Sequence, residues 1–303
     1  MRSTLVVVRA PKCASVMSWI FELVDVGVVD LAISTYKDAD VGDNLAQHIR
    51  FSHHFVGGKW IALFDFFTQH PELLDRYEYF WFPDDDIEAT PQVAREFLSI
   101  SQEERFALSQ PALSADSYYA HRLTLANPRF KFRRTNFVEL MLPLMRSVFL
   151  KRVLPLFAGR HAALGLDFFW HQLTDDPLND VAIVDATPMG HYRPRQTHLK
   201  NVMTTQQVDI MKEKARTFAE FNISWGGATI FSAVTKGGNE VSRGLYLWWT
   251  YFLGISDIRR SISRPQWSNV ATLRMFRELM SAKPSGPNFD RAAYEQLLRK
   301  TSF

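Results

Sequence analysis

Three consecutive carboxylates, Asp84, Asp85 and Asp86, follow an apolar stretch at 77–82 (YEYFWF) and Pro83. Like charges this close oppose one another's ionisation, so they need a cation or water. A hard divalent cation resolves the conflict, because Mg2+ and Mn2+ prefer oxygen ligands. Asp84 and Asp86 have D-x-D spacing, and a turn leaving a strand bends both carboxylates toward one ion. Mg2+ held by one or two carboxylates commonly takes its other ligands from water and substrate phosphates. The triplet alone fits a second reading equally: a surface acidic turn capping a helix at Gln92.

Two later features add chemistry. Gly165-Leu166-Asp167 opens a helix, and a carboxylate there can act as general base on a hydroxyl. Alone it is also a helix-start carboxylate favoured by the dipole. The apolar run 181–184 leads into Asp185-Ala-Thr-Pro-Met-Gly-His191-Tyr-Arg193-Pro. A strand followed by a His-bearing loop can deliver a neutral imidazole to a metal. A lone His is also commonly structural.

The elements that must position these groups show as periodicity. Residues 5–8 form a β-branched run and predict a buried strand. Residues 15–24 have helical spacing, and 30–36 (DLAISTY) predict a second strand. Residues 37–57 are polar and predict a long loop. Gly58 opens a helix with Trp60, Leu63, Phe64 and Phe67 on one side. Residues 77–82 form a strand aromatic on both faces, as in sheets covered by helices on both sides. A helix is expected at 92–100, strands at 106–108, within 130–138 and at 181–184, and helices at 144–157 and 166–173. Strands alternating with helices up to about Asp185 give an α/β class with a mostly parallel sheet flanked by helices. Ligands of such sheets bind at the C-terminal ends of the strands, where the aspartates sit. From Thr204 the pattern turns helical. Thr204 and Gln207 have capping-box spacing before a helix through Asn222. Helices follow at 243–253, 269–280 and, capped by Asp290, 291–300. Residues 1–203 read as a catalytic domain and 204–303 as a helical C-terminal region packed on it.

An apolar strand into D-x-D, a later Gly-x-Asp at a helix start, then a strand ending near a His: this order resembles the GT-A glycosyltransferase core. The local wording is closest to one GT-A-like family of bacteria and plants known as a domain of unknown function. The matching stretches are GGKWIALFDFF (57–67), YEYFWFPDDDIE (77–88), LSQPALSADS (108–117), RRTNFVELMLP (133–143), LGLDFFW (164–170) and AIVDATPMGHYRP (182–194). They span about residues 5–195, with no such match in the C-terminal third. The resemblance implies a metal-dependent transferase that moves a sugar from a nucleotide-diphosphate donor to a hydroxyl of a glycan or polysaccharide. Mn2+ or Mg2+ would be the cofactor. Asp86 would bind the metal directly, Asp84 would reach the ribose or a metal-bound water, and Asp85 could share either role. His191 would be the third protein contact to the metal. Asp167 matches the base of inverting members. Lys59 and Trp60 would lie near the nucleotide, although an exposed helix-start lysine and a core tryptophan fit equally. Arg193 can pair with a diphosphate oxygen. Gln110, Asn136 and Glu139 are candidate sugar contacts, because polar groups inside apolar strands need partners. Internal satisfaction of the core is the alternative.

Composition excludes other classes. The net charge of +3 from 35 basic and 32 acidic residues does not suggest a nucleic-acid binder. The local clusters Lys131, Arg133, Arg134 and Arg259, Arg260, Arg264 read as solvated faces, with phosphates or anionic lipid as the alternative partners. One cysteine, Cys13, allows no internal disulfide and fits a reducing, cytoplasmic setting. There is no G-x-G-x-x-G, Walker A, G-x-S-x-G or paired-cysteine zinc motif. Two rivals stand beside the transferase. A haloacid-dehalogenase-type phosphohydrolase also places D-x-D after a strand, but nearer the N-terminus and followed by D-x-D-x-Thr or Val; Glu88 fills that position here. A GT-A-like protein that binds glycan or nucleotide without turnover is the other. No stretch is long enough to span a bilayer. Residues 244–255 (GLYLWWTYFLGI), with Arg243 before and Arg259-Arg260 after, suit an interfacial helix giving peripheral membrane contact through 244–260. A buried core helix is the alternative.

Overall fold

The computed structural model describes residues 3–13, 16–38, 43–193, 208–224, 227–261, 273, 276–277, 279–281 and 289–301. The expected capping box at Thr204 and Gln207, and most of the helix expected at 269–280, lie outside the described residues.

Among the described residues eleven strands form the sheet: β1 (Thr4–Ala10), β2 (Asp30–Thr35), β3 (Phe51–His54), β4 (Tyr79–Trp81), β5 (Ile87–Glu88), β6 (Leu108–Leu113), β7 (Phe130–Thr135), β8 (Leu144–Arg146), β9 (Val181–His191), β10 (Ile230–Thr235) and β11 (Glu240–Ser242). Their order is β11-β10-β7-β9-β6-β8-β4-β1-β2-β3, with β5 paired to β9. The helices are α1 (Ser18–Asp25), α2 (Asp43–Ala46), α3 (Lys59–Gln69), α4 (Leu73–Arg76), α5 (Pro91–Glu103), α6 (Ser147–Val153), α7 (Ile210–Glu220), α8 (Leu245–Ser261) and α9 (Arg291–Lys300).

Every residue of β1 is buried, because both faces of the sheet are covered. Val6 and Val8 pack on one side with Trp19, Phe97 and Tyr251, from α1, α5 and α8. Leu5 and Val7 pack on the other with Trp60, Phe66 and Phe149, from α3 and α6. Two-sided burial is what a continuous apolar run encodes.

The α/β class holds. β4-β1-β2-β3, the part that carries the aspartates, is parallel throughout. The rest is more mixed than the alternation of elements suggested, with β6 and β9 as its parallel pair. β8 lies antiparallel to both β4 and β6. It occupies the start of what reads as one helix over 144–157. Pro143 disfavours helical geometry at Leu142, so the chain enters extended. Pro155 then falls in the first turn of a 3-10 segment, Leu154–Phe157, and α6 ends at Val153. The polar stretch 37–57 contains α2 and β3. The C-terminal third is not all helix: β10 and β11 extend the sheet beyond β7. α9 begins where expected, with the Asp290 carboxylate accepting from the backbone of Ala292 and Ala293 at 2.9 and 3.1 Å.

One buried ion pair fixes β9 against β7. Arg133 is not on a solvated face. Its Nε and Nη2 donate to the two carboxylate oxygens of Asp185 at 2.7 and 2.8 Å, and both side chains are fully buried. Its remaining donors reach the carbonyls of Leu123 and Leu125. Such a bidentate pair is directional as well as strong. Asp185→Ala leaves the Arg133 charge buried and unpaired, and the expected loss is about 3–5 kcal/mol. Urea unfolding measures it, and a loss below about 1 kcal/mol would show that the pair does not hold the strands.

Candidate active site

Pro83 ends β4, and the three aspartates occupy the turn that follows. They do not cap α5; the Thr90 hydroxyl does, accepting from the Val93 backbone at 3.3 Å. The Asp84 N–H donates to the Met141 carbonyl at 2.9 Å, and Asp84 forms a parallel bridge with Arg9 at the end of β1. The next residues, Ile87 and Glu88, form β5 and pair antiparallel with the end of β9, Ile87 opposite His191. His191 is thus the last residue of an eleven-residue strand, not part of a loop. This pairing carries Asp86 to the imidazole.

His191 Nε2 lies 3.4 Å from Asp86 Oδ2, and His191 Nδ1 lies 2.8 Å from the Tyr118 carbonyl. With Nδ1–H donating to that carbonyl, Nε2 faces the carboxylate. Burial alone would raise Asp86 and lower His191. Their mutual hydrogen bond and charge outweigh it, so Asp86 sits below the ordinary range and His191 above.

Asp84 is held differently. Gly58 meets the loop at His161 so closely that a Cβ there would collide with the His161 carbonyl. That contact seats the start of α3 and aims Lys59 inward. The Lys59 ammonium faces four acceptors: Asp84 Oδ1 at 2.6 Å and the carbonyls of Phe82, Leu140 and Met141 at 2.7, 3.1 and 3.0 Å. An ammonium has three protons, so nothing is left over for a nucleotide. Lys59 therefore positions Asp84, where the resemblance placed it near the ligand. Trp60 takes the core alternative: it is buried, its ring 4.6 Å from Phe157 and 5.8 Å from Trp170. Burial pushes the Asp84 carboxyl up, against the pull of Lys59.

Arg193 lies against the remaining carboxylates. Its Nη1 is 3.3 Å from Asp85 Oδ1, and its Nε is 3.5 Å from Asp86 Oδ2. Burial lifts Asp85 to about 6 despite the guanidinium. Two neighbours escape the sequence reading. Tyr36, just past β2, is pushed up to about 12 by burial and then by the charge of Asp85. Arg9, at the end of β1, has its guanidinium carbon 5.1 Å from the Tyr36 ring centroid. It donates to Ser34 Oγ at 3.0 Å and to the carbonyls of Thr35 at 2.6 Å, Gly57 at 2.8 Å and Phe55. An arginine closing an otherwise apolar strand was the available signal.

Asp167 sits in a 3-10 turn, Leu166–Phe168, behind Gly165 at φ +104. That positive φ favours glycine. The Gly165 N–H donates to Asp167 Oδ1 at 3.2 Å. Burial, then the charge of Glu139, lifts Asp167 to about 7. Glu139 Oε1 accepts from the His121 N–H at 3.0 Å and Thr124 Oγ1 at 3.3 Å. Its own N–H donates to Gln110 Oε1 at 2.5 Å, so Gln110 positions Glu139. Two residues further, Met141 accepts from Asp84, which links the two sides of the site. Asn136 is not available to a sugar. Its amide donates to the Gly227 carbonyl at 3.0 Å and accepts from the Thr229 N–H at 2.8 Å.

Among the described residues no three His, Cys, Asp or Glu side chains gather as a metal-holding group. Asp86 and His191 converge, and Asp84 is drawn off to Lys59. Two protein ligands still suit a hard cation that completes its shell with water and phosphate. Asp86 Oδ1 is buried without a hydrogen-bond partner among the described residues. The backbone bond on His191 Nδ1 is the kind of support that orients a metal-ligating imidazole.

A family profile described as "Protein of unknown function (DUF707)" matches residues 44–141, about a third of the chain. It takes in the stretches at 57–67, 77–88 and 108–117 and most of 133–143; those at 164–170 and 182–194 lie beyond it. No curated protein matches the chain. Among solved structures, S. aureus TarS residues 1–349 in complex with UDP-GlcNAc is 9% identical, covering 87% of this chain and 82% of that one, with a TM-score of 0.42. A197 from STIV is 12% identical over 80% of this chain and 95% of that one, with a TM-score of 0.39. Mannose-1-phosphate geranyltransferase from Thermus thermophilus is 11% identical over 62% and 76%, with a TM-score of 0.37. Likenesses this loose say nothing of activity.

Lys59→Met tests the support of the site. It strips one charged donor from Asp84 and three carbonyls, and the expected cost is about 2–3 kcal/mol. Equal urea midpoints for variant and wild type would remove Lys59 from this role.

Proposed function

We propose that the chain is a glycosyltransferase, moving a sugar from a nucleoside-diphosphate donor to a hydroxyl of a glycan or polysaccharide. The observation that carries the reading is the β5–β9 pairing. It sets Asp86, with its unpartnered oxygen, against the oriented imidazole of His191 at a strand end. Asp86 and His191 would hold Mn2+ or Mg2+, which when bound stabilises charge on the departing diphosphate. Arg193 would turn from Asp85 toward a diphosphate oxygen. Asp84, fixed by Lys59, would orient the donor ribose, with Asp85 and Tyr36 beside it. Asp167 would take the acceptor proton: the O–H bond breaks as the new glycosidic C–O bond forms on the face opposite the departing diphosphate. One base and one displacement give inversion, and the sugar passes through an oxocarbenium-like state. Glu139 stays beside that base as a sugar contact. Residues 1–203 would be the catalytic domain and 204–303 a region packed on it, in which β10 and β11 extend the sheet and α7 walls the site.

Donor hydrolysis over a nucleotide-sugar panel with Mn2+ tests the reading. Asp86→Ala and His191→Ala should each lower it about a hundredfold or more. Activity in Asp86→Ala with unchanged metal dependence would overturn the proposal. Transfer should rise with pH through about 7, because Asp167 must be unprotonated to accept the proton. Glu139 raises that value, so Glu139→Gln should move the midpoint to lower pH.

The same reading includes work at a membrane face. Among the described residues no helix is long and apolar enough to cross a membrane. α8 divides in two: Leu247, Trp248, Tyr251 and Ile255 are buried, so that side of the expected interfacial segment is core. Leu245, Tyr246 and Trp249 are 86%, 66% and 60% exposed, and that face would meet anionic lipid. Wild type should float with anionic liposomes and a Tyr246→Ser, Trp249→Ser variant should not; equal behaviour of the two rejects the idea.

A further inference from the structure

α7 walls the Asp167 side of the site, and it is pinned there. The Glu213 carboxylate accepts from three successive backbone N–H groups, of His161, Ala162 and Ala163, at 2.7, 3.0 and 2.6 Å. Arg160 donates to Glu220 Oε2 at 2.5 Å and to Thr217 Oγ1 at 3.2 Å. The loop so gripped runs directly into Gly165 and Asp167. Lys214 and Phe218, four residues apart, share one face of α7. Phe218 covers Gly165: a Cβ there would lie 2.7 Å from its ring. Lys214 Nζ sits 5.1 Å from the Phe168 centroid and 5.4 Å from the Phe218 centroid.

This lysine differs from the other cations around the site. Lys59 faces Asp84, Arg193 faces Asp85 and Asp86, Arg133 faces Asp185, Arg160 faces Glu220, and Arg9, which faces no carboxylate among the described residues, commits its donors to Ser34 and to backbone carbonyls. Among the described residues Lys214 has no carboxylate at ion-pair distance. Its adjacent acid, Glu213, is spent on the loop. The ammonium is partly screened from water by two rings and keeps its three donors, near enough for its charge to act on Asp167. Across Phe168 lie the rings of His121 at 5.8 Å and Phe137 at 6.0 Å, with Glu139 bonded to the His121 backbone. Asp167 and Glu139 would repel an anionic acceptor unless a cation offset them.

We propose that Lys214 is a specificity residue that selects acceptors bearing an anionic group, phosphate or carboxylate, close to the hydroxyl that attacks. The assignment rests on the transferase reading, because it takes Asp167 as the base. The half-buried Phe218 borders the acceptor, and Lys214 takes its anion through charge-assisted hydrogen bonds.

The test is a ligand-observed NMR titration of the full chain with glucose 6-phosphate, glucuronate and glucose, run beside donor hydrolysis with Mn2+. Wild type should bind at least one anionic probe about tenfold tighter than glucose. Lys214→Met should abolish that preference, and Lys214→Glu should reverse it. The phosphate and carboxylate arms tell which anion fits. No preference in wild type, or equal weakening of all three probes in Lys214→Met, overturns the assignment. Hydrolysis without preference removes Lys214 alone. Preference without hydrolysis keeps the anion site and removes the transferase reading.

Discussion

Much of the site hangs on one ammonium group. Lys59 reaches from the first turn of α3 to the end of β4 and to Leu140 and Met141. An unpaired carbonyl in so closed a place is costly, and one cation serves three of them. The Met141 carbonyl also accepts from the Asp84 N–H, so the ammonium and the aspartate backbone meet on the same oxygen. The fourth contact, to the Asp84 carboxylate, offsets the charge of the lysine itself. The aspartate turn, the start of α3 and the segment leading from Glu139 to Met141 are therefore set relative to one another by a single side chain. The close approach at Gly58 makes this reach geometrically possible.

The other half of the site depends on where β9 runs. Arg133 and Asp185 lock β9 to β7 midway along its length. Beyond that lock the strand continues for six residues to His191, where it pairs with β5. Its register against β6 shifts on the way, from Pro111 opposite Val184 to Leu113 opposite Met189, so the end of the strand is set by β5 and by the Ser117 hydroxyl, which accepts from the His191 N–H at 3.0 Å, as well as by the lock. The two anchors work from opposite sides. One holds Asp84, the other brings His191 to Asp86, and the turn of three aspartates lies between them.

β1, β2 and β4 were legible in the sequence because their signal is local, whereas β3, parallel to β2, lies in the polar stretch that reads as a loop. β1 and β2 are β-branched apolar runs, and helices over 59–69 and 91–103 carry apolar residues at helical spacing. The chemistry-bearing residues were legible as types: Asp86, His191 and Asp167 stand where strand ends and turns put them. What could not be read was partnership. Lys59 looks like an exposed helix-start lysine until three distant carbonyls surround it. Asn136 looks like a sugar contact until Gly227 and Thr229, some ninety residues on, take both ends of its amide. Leu144–Arg146 has no strand signature of its own; β4 and β6 on either side make it one. β10 and β11 are short, and their place is set by β7. Tertiary contacts override local preference in each case.

Environment also divides the carboxylates by task. Asp86 gains a hydrogen-bonded imidazole and is held ionised. Asp167 has burial and a like charge at Glu139, and is lifted to about 7. Groups of one type pushed in opposite directions can serve opposite purposes at one pH. A carboxylate that stays charged suits an ion and a departing diphosphate. One poised near neutrality suits exchange of a proton with a hydroxyl. Asp85, at about 6 between Arg193 and Tyr36, is intermediate, and its charge depends on whether the guanidinium stays beside it.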